Sequence, residues 1–204
     1  KKKYNLGKVV FVADSGLLNK ANLRAMDESG FKYIVGARLR KMKSEIQKKI
    51  HDTKNYISHN DGEDKIGLAS FEIEENKILI ISRSEKRAKK DAHDRSKAIS
   101  KLRKKLKKSK NPKELISKGN GNFLKIEGDT ELQIDDEKCE QAALWDGYHG
   151  VITNDSEMTA EEALRHYRGL WQVEESFRIT KHDLKVRPIY HWTPNRIRAH
   201  LAIS

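Results

Sequence analysis

The sequence predicts an α/β protein, and three observations carry that expectation. Short runs of β-branched and aromatic residues, Val9-Val10-Phe11-Val12 and Ile78-Leu79-Ile80-Ile81, have the length and chemistry of buried strands. From Thr159 to about Leu184, the residues Leu164, Tyr167, Trp171, Phe177 and Ile179 recur at helical spacing without an intervening proline, which predicts a long amphipathic helix facing a core. From Ser84 to about Lys108, a thin apolar stripe of Ala88, Ala92, Ile99, Leu102 and Leu106 runs through an otherwise basic helical pattern.

The first strand is expected over Lys8 to Ala13, and Asp14-Ser15-Gly16 follows as a turn. Asp14 therefore stands at the C-terminal end of a strand, where open α/β sheets present binding groups. It could equally cap the helix expected over Leu17–Ser29. A strand over Phe31–Ala37 comes next, then a basic helix over Leu39–Ile50 and a polar connector from His51 to Asp64. Leu68–Ile73 and Lys77–Ser82 form a hairpin pattern across Glu74-Glu75-Asn76.

Pro112 and the Gly119-Asn120-Gly121-Asn122 turn end the basic helix. No helix pattern follows those glycines, so they do not make a phosphate loop. Phe123–Ile126, Glu131–Ile134 and Ala142–Trp145 are further strand candidates, and Asp146 to Asn154 reads as a turn and a strand. Thr159 with Glu162 three residues on makes a capping box that should start the long helix. Val186 to Trp192 should be extended, because Pro188 disfavours helix at Arg187. Thr193-Pro194 then opens a final helix.

Charge is distributed unevenly. The 204 residues carry a formal net charge of +12, and between Lys86 and Lys118 fifteen Lys and Arg stand against three acids, which accounts for the whole excess. A localised cationic stretch is the footprint of a polyanion binder, through attraction to phosphates and release of their counterions. Cys139 is the sole cysteine, so an intrachain disulfide and a cysteine-based zinc site are excluded, as suits a reducing cytoplasm. No apolar run approaches the ~18 residues of a membrane span, and the N-terminal segment lacks the apolar core of a signal peptide. His191 and His200 have no partner at metal-ligand spacing and read as packing or surface residues.

On the long helix, Tyr167, Glu174 and Lys181 are spaced by seven residues and return to nearly one face, so a phenol, a carboxylate and an ammonium share a stripe. Lys181 could simply neutralise a half-buried Glu174 from about two turns away. The pattern Tyr167, Leu170, Glu174, Lys181 nevertheless resembles the Tyr-Arg-Glu-Lys signature of insertion-sequence DDE transposases, with Leu170 standing where the signature has Arg. Arg168 is close in sequence but lies about 160° round the helix from that position. The stretch from Val9 to Leu39, with Ala13-Asp14-Ser15-Gly16 after an apolar strand, resembles the region around the second catalytic Asp of the same family. The Asp146-Gly147 to Thr153-Asn154 stretch resembles the segment that precedes the family's Glu helix. The three resemblances occur in the family's order.

The resemblance implies an α/β, ribonuclease H-like catalytic core, here incomplete, over residues 1–204, interrupted from about 40 to 145 by a strand-rich insertion that includes the basic helix. It implies Asp14 and Glu174 as catalytic and metal-binding acids for Mg²⁺ or Mn²⁺, and phosphodiester cleavage and strand transfer at element ends. Tyr167, Arg168 and Lys181, with Lys104, Lys105, Lys107 and Lys108 of the basic helix, are the expected DNA-binding residues. The implied partners are double-stranded DNA, as terminal inverted repeats and target, and a second copy in a synaptic homodimer, in a bacterial or archaeal cytoplasm without a membrane. No residue here matches the family's first Asp, so a fragment that is inactive alone is expected. Two rival readings are a non-catalytic basic nucleic-acid-binding protein and a metal-dependent nuclease of the same fold.

Overall fold

The computed structural model describes residues 9–16, 19–61, 64–74, 76–108, 123–127, 131–182 and 190–203. The strands are β1 Val10–Ala13, β2 Lys32–Gly36, β3 Ile57–Asp61, β4 Asp64–Glu74, β5 Lys77–Ser84, β6 Leu124–Glu127, β7 Glu131–Ile134 and β8 Tyr148–Thr153. The α-helices are α1 Lys20–Glu28, α2 Ser44–His51, α3 Glu85–Lys108, α4 Asp136–Ala143, α5 Ala160–Arg168, α6 Leu170–His182 and α7 Pro194–Ile203. A six-stranded sheet has the order β1-β2-β8-β5-β4-β3, and β6 and β7 form a separate hairpin. The architecture is therefore a mixed sheet with helices, an α/β fold.

The chain divides into two compact units, one of residues Lys1–Ala37, Glu72–Leu79 and Val151–Ser204, the other of Arg38–Phe71 and Ile80–Gly150. In the first unit β1 and β2 run parallel, with Val10 opposite Lys32 and Ala13 opposite Val35. The end of β8 runs antiparallel to β2, Ile34 opposite Thr153 and Gly36 opposite Val151. Tyr33, Ile34, Val35, Val151 and Ile152 are buried from end to end of this pairing, together with Ala163 and Leu164 of α5. Burying each large side chain contributes roughly 1.5–3 kcal/mol, so this patch is the unit's main source of stability.

Asn154 closes the β2–β8 pairing. Its Oδ1 accepts a bond from Tyr33 N at 3.0 Å, and its Nδ2 donates to Phe31 O at 3.0 Å and to Asp27 Oδ1 at 2.9 Å. One amide thus ties the end of β8 to the start of β2 and to α1. Burial, helped by the Asp27 carboxylate, pushes the Tyr33 phenol well above its ordinary range, so it stays neutral inside this polar cluster.

In the second unit β3 and β4 pair antiparallel, from Ile57 opposite Leu68 to Asp61 opposite Asp64. The helix α3 is fastened along its inner side. Its Arg95 pairs with Asp146, and Asp91 Oδ2 accepts the Gly147 N–H at 3.0 Å. Leu102 is buried with Leu124 and Leu132 of the β6–β7 hairpin, and Leu106, Phe123 and Ile134 pack on them. His51, Trp145 and Tyr148 pack edge to face, with ring centroids 4.5 and 5.3 Å from His51.

Several expectations need correction. The polar stretch from His51 to Asp64 contains β3, an edge strand whose Ile57 is exposed, so backbone pairing rather than an apolar pattern forms it. Ala142–Trp145 is not a strand: Ala142 and Ala143 close α4, which begins where Asp135 caps it by accepting the Lys138 N–H at 3.0 Å. The helix after the first strand is capped by Asn19, whose Oδ1 accepts the Asn22 N–H at 2.7 Å, and not by Asp14. The turns expected at Pro112 and Gly119–Asn122, the stretch from Val186 to Ile189 and the helix end near Leu184 lie outside the described residues.

Gly147 has φ +82°, and a Cβ there would lie 2.6 Å from Ser84 O and 2.9 Å from Ala88 Cβ, whereas Gly30 at φ +65° has nothing within 4 Å of its Cβ position. Gly147→Ala should therefore cost clearly more in urea unfolding than Gly30→Ala, which carries only the left-handed backbone penalty of about 1–2 kcal/mol. Equal costs would contradict the close seating of α3 on this turn. His51 is held below its usual pKa by burial and by the Arg83 guanidinium. Its folded pKa lies under the unfolded value, so the stability it contributes is present above about pH 6.5 and lost as pH falls towards the folded pKa. His51→Phe should show a flatter unfolding midpoint between pH 7.5 and 5 than the wild type, checked by urea titration.

Candidate active site

The C-terminal end of β1 and the neighbouring end of β2 define the site. Asp14 directly follows β1 and is exposed. Its Oδ1 accepts the Gly16 N–H at 2.8 Å, an Asx turn that bends the chain away from the strand and holds the carboxylate at the sheet's edge. Gly36, the last residue of β2, sits beside it, and a Cβ on Gly36 would lie 3.1 Å from Ser15 N and 2.4 Å from Tyr167 Oη. The phenol of Tyr167 is thus laid over a glycine at the edge where Asp14 leaves the sheet.

Tyr167 reaches this place because α5 packs on β1 and β2 through its buried Ala163 and Leu164. The start of α5 is the expected capping box: Thr159 Oγ1 accepts the Glu162 N–H at 3.2 Å, and Glu162 Oε2 accepts the Thr159 N–H at 3.0 Å. That bond to the Thr159 N–H is the main reason the Glu162 carboxyl lies below its usual pKa.

The long helix differs from expectation in three ways. It is divided at Gly169, whose N–H is shared between Arg165 O and His166 O and whose φ of −59° and ψ of −16° stay in the right-handed region. Glycine weakens a helix interior, and the shared bond tightens this turn. Glu174 on α6 is exposed rather than half-buried, and it has no hydrogen bond or ion pair among the described residues. Lys181 does not neutralise it: its Nζ lies 5.9 Å from the centre of the Phe177 ring, and Arg178 forms a two-point pair with Glu175. The amphipathic stripe also stops facing a core beyond the division, since Trp171 is 61% exposed and Phe177 60%.

The structure therefore brings Tyr167 to the turn that holds Asp14, and sets Glu174 and Lys181 further along the helical run on exposed α6. Arg168 is exposed at the end of α5. Lys104, Lys105 and Lys107 are exposed on α3, which Lys108 ends. His191 and His200 stack edge to face on one another, with ring centroids 5.4 Å apart. Among the described residues no three His, Cys, Asp or Glu side chains form a group that could hold a metal ion. Asp14 and Glu174 are the hard oxygen donors that Mg²⁺ or Mn²⁺ prefers, so the donor chemistry fits, although two carboxylates are fewer than such an ion needs. Sequence reasoning passed over Gly36 and Ser15; the available signal was a glycine closing an apolar strand.

Gly36→Ala should displace Tyr167 and lower stability by about 1–3 kcal/mol, the usual range for overpacking. Adding Tyr167→Phe, which deletes the clashing oxygen, should recover most of that loss in thermal or urea unfolding. No recovery would mean that Tyr167 does not occupy this position.

No curated protein and no solved structure matches the chain. The family model described as "Transposase DDE domain" matches residues 2–204, nearly every residue of the chain. With an exposed Asp at the end of a strand, the Tyr of the helical run folded against that same edge, and this match over its length, the chain belongs to the DDE transposase domain family.

Proposed function

We propose that this chain is the catalytic domain, in part, of an insertion-sequence transposase of the subgroup with the Tyr-Arg-Glu-Lys signature, which cleaves phosphodiester bonds at element ends and transfers strands. On this reading the first unit carries a ribonuclease H-like core, and residues from about 40 to 145 are an insertion into it. The observation that supports it best is the meeting of Tyr167 with the Asp14 turn. Two residues far apart in sequence, assigned to one site by the resemblance, stand at one edge of the sheet.

In the mechanism Asp14 and Glu174 would be the metal-binding carboxylates, and a divalent ion held by them would supply Lewis acidity for phosphoryl chemistry. The Asx turn keeps the Asp14 carboxylate at the strand end. Tyr167, supported by Gly36 and the α5 packing, offers a hydroxyl beside the carboxylate for a phosphate oxygen near the cleaved end. Lys181, with its ammonium over the Phe177 ring, and Arg168 supply positive charge for the DNA backbone, and Lys104, Lys105, Lys107 and Lys108 do the same from α3. Terminal inverted repeats and target duplex are the DNA partners, and a homodimer forms the synaptic complex. The rival without catalysis, a basic nucleic-acid-binding protein, draws on the concentration of charge in α3 and on the two-carboxylate donor set.

Mn²⁺ separates the two. Addition of the ion should raise the melting temperature of the wild-type chain and broaden resonances near Asp14, and Asp14→Asn or Glu174→Gln should remove both effects. In a transposition assay with the parent element, Glu174→Gln should reduce excision by on the order of a hundredfold or more, the scale for losing one charge-stabilising group at an active site. A metal response indifferent to both substitutions, with no excision by the wild type, would leave the binding protein as the correct reading.

A further inference from the structure

Among the described residues, nothing packs on one face of the helix α3. Its inner side is committed: Arg95 to Asp146, Asp91 to the Gly147 N–H, and Leu102 and Leu106 to the β6–β7 hairpin. These ties fix the rotation of the helix about its axis. At 100° per residue, Lys86, Lys90, Lys97, Lys101, Lys104 and Lys107 then fall within about 70° of the direction opposite that inner stripe. All six are exposed. They extend over about 30 Å, at 1.5 Å per residue. Lys86 pairs with Asp64 at 3.1 Å; the other five have no acidic partner among the described residues. Lysines spaced three and four apart on one helix face repel one another, so the isolated surface is unfavourable and a line of negative charge would relieve it.

The cationic line continues past the start of the helix. A cleft of about 570 Å³ there is lined by Lys65, Arg83, Lys86 and Lys89 against only Asp64 and Glu85.

The chemistry of this face selects its partner. The apolar residues Ile99, Leu102 and Leu106 are turned inward, so no apolar surface remains for insertion into a bilayer. The helix carries no Phe, Tyr or Trp on which unpaired bases could stack, as single-strand binders require. The outward cations are lysines, compact point charges suited to phosphate oxygens rather than to the two-point reading of base edges by Arg. A straight row about 30 Å long also matches nearly one turn of duplex, about 34 Å.

We propose that the outward lysine face of α3, with the cleft at its start, is a sequence-independent seat for the phosphate backbone of duplex DNA. The choice of DNA among polyanions rests on the transposase reading, and the proposal deepens that reading by naming the face. It makes Lys97, Lys101 and Lys104 principal contacts and Lys105, which lies about 100° from the centre of the face, a minor one.

The test compares two triple variants of the full chain that remove equal charge from different surfaces: Lys97→Gln/Lys101→Gln/Lys104→Gln on the outward face, and Arg87→Gln/Arg103→Gln/Lys125→Gln flanking it. Binding of a fluorescent duplex of arbitrary sequence is followed by anisotropy across a salt series, with circular dichroism to confirm that both variants fold. The outward triple should weaken binding about ten- to a hundredfold near 0.1 M salt and lower the slope of log K against log salt by about 2 to 3, close to 0.9 per lost phosphate contact. The flanking triple should weaken it less than about threefold. Equal losses in both variants, or none in the first, overturn the proposal. So does tighter binding of duplex RNA or of anionic vesicles through the same lysines. Should the flanking triple disturb the fold, Arg103→Gln alone serves as the comparison and must have less effect than Lys101→Gln alone. No cleavage is measured here, so this outcome is independent of the Asp14 and Glu174 substitutions that test the transposase reading.

Discussion

The candidate site depends on one close approach, that of the Tyr167 hydroxyl to the last residue of β2. Only glycine permits it, because any Cβ at position 36 would enter the phenol oxygen's volume. The approach in turn requires α5 to lie flat on β1 and β2, which the burial of Ala163 and Leu164 secures. Parallel pairing of β1 with β2 puts Ala13 opposite Val35, so the residues that follow, Asp14 and Gly36, emerge at one edge. A strand end, a glycine and a helix face thus converge where the backbone of the sheet stops and polar groups can be presented without leaving the core unpaired.

The helical run from Thr159 to His182 serves two purposes, and the division at Gly169 separates them. The segment before it is a packing element with a capped start and a buried face. The segment after it carries Trp171, Phe177 and Ile179 in the open, together with Glu174 and Lys181. Exposed aromatic groups interleaved with charges have a cost in water, and a surface that must receive a large, charged, partly planar substrate is where such a cost is retained. For a member of the DDE transposase domain family, an exposed α6 is consistent with a substrate that is itself a macromolecule.

In the second unit the organising interactions are polar. Arg95 with Asp146, and Asp91 with the Gly147 N–H, attach the long basic helix to the turn before β8, and both pairs lie on the inner side of the helix, partly shielded from water. Part-buried pairs of this kind are screened less by salt than exposed ones. The helix can therefore keep its orientation at salt concentrations that screen its outer lysines.

What the sequence determined by itself is everything that rests on short-range signals. The capping box at Thr159 and Glu162, the strand runs before Asp14 and in β5, the basic helix over almost its full observed span, and Pro194 opening α7 are each encoded within a few residues. The DDE family resemblance was likewise legible in the order of its motifs. The ends and partners of elements were not. β3 contains a single apolar aliphatic residue and exists because β4 offers it backbone partners, and α4 was hidden by an apolar run that turned out to close a helix. An amphipathic pattern states that one face is apolar but not whether anything covers it, so the exposure of Trp171, Phe177 and Glu174 was decided only in three dimensions. The same holds for Tyr167 over Gly36 and for the outward direction of the α3 lysines. Each depends on contacts between residues far apart in the chain, and local spacing carries no information about those.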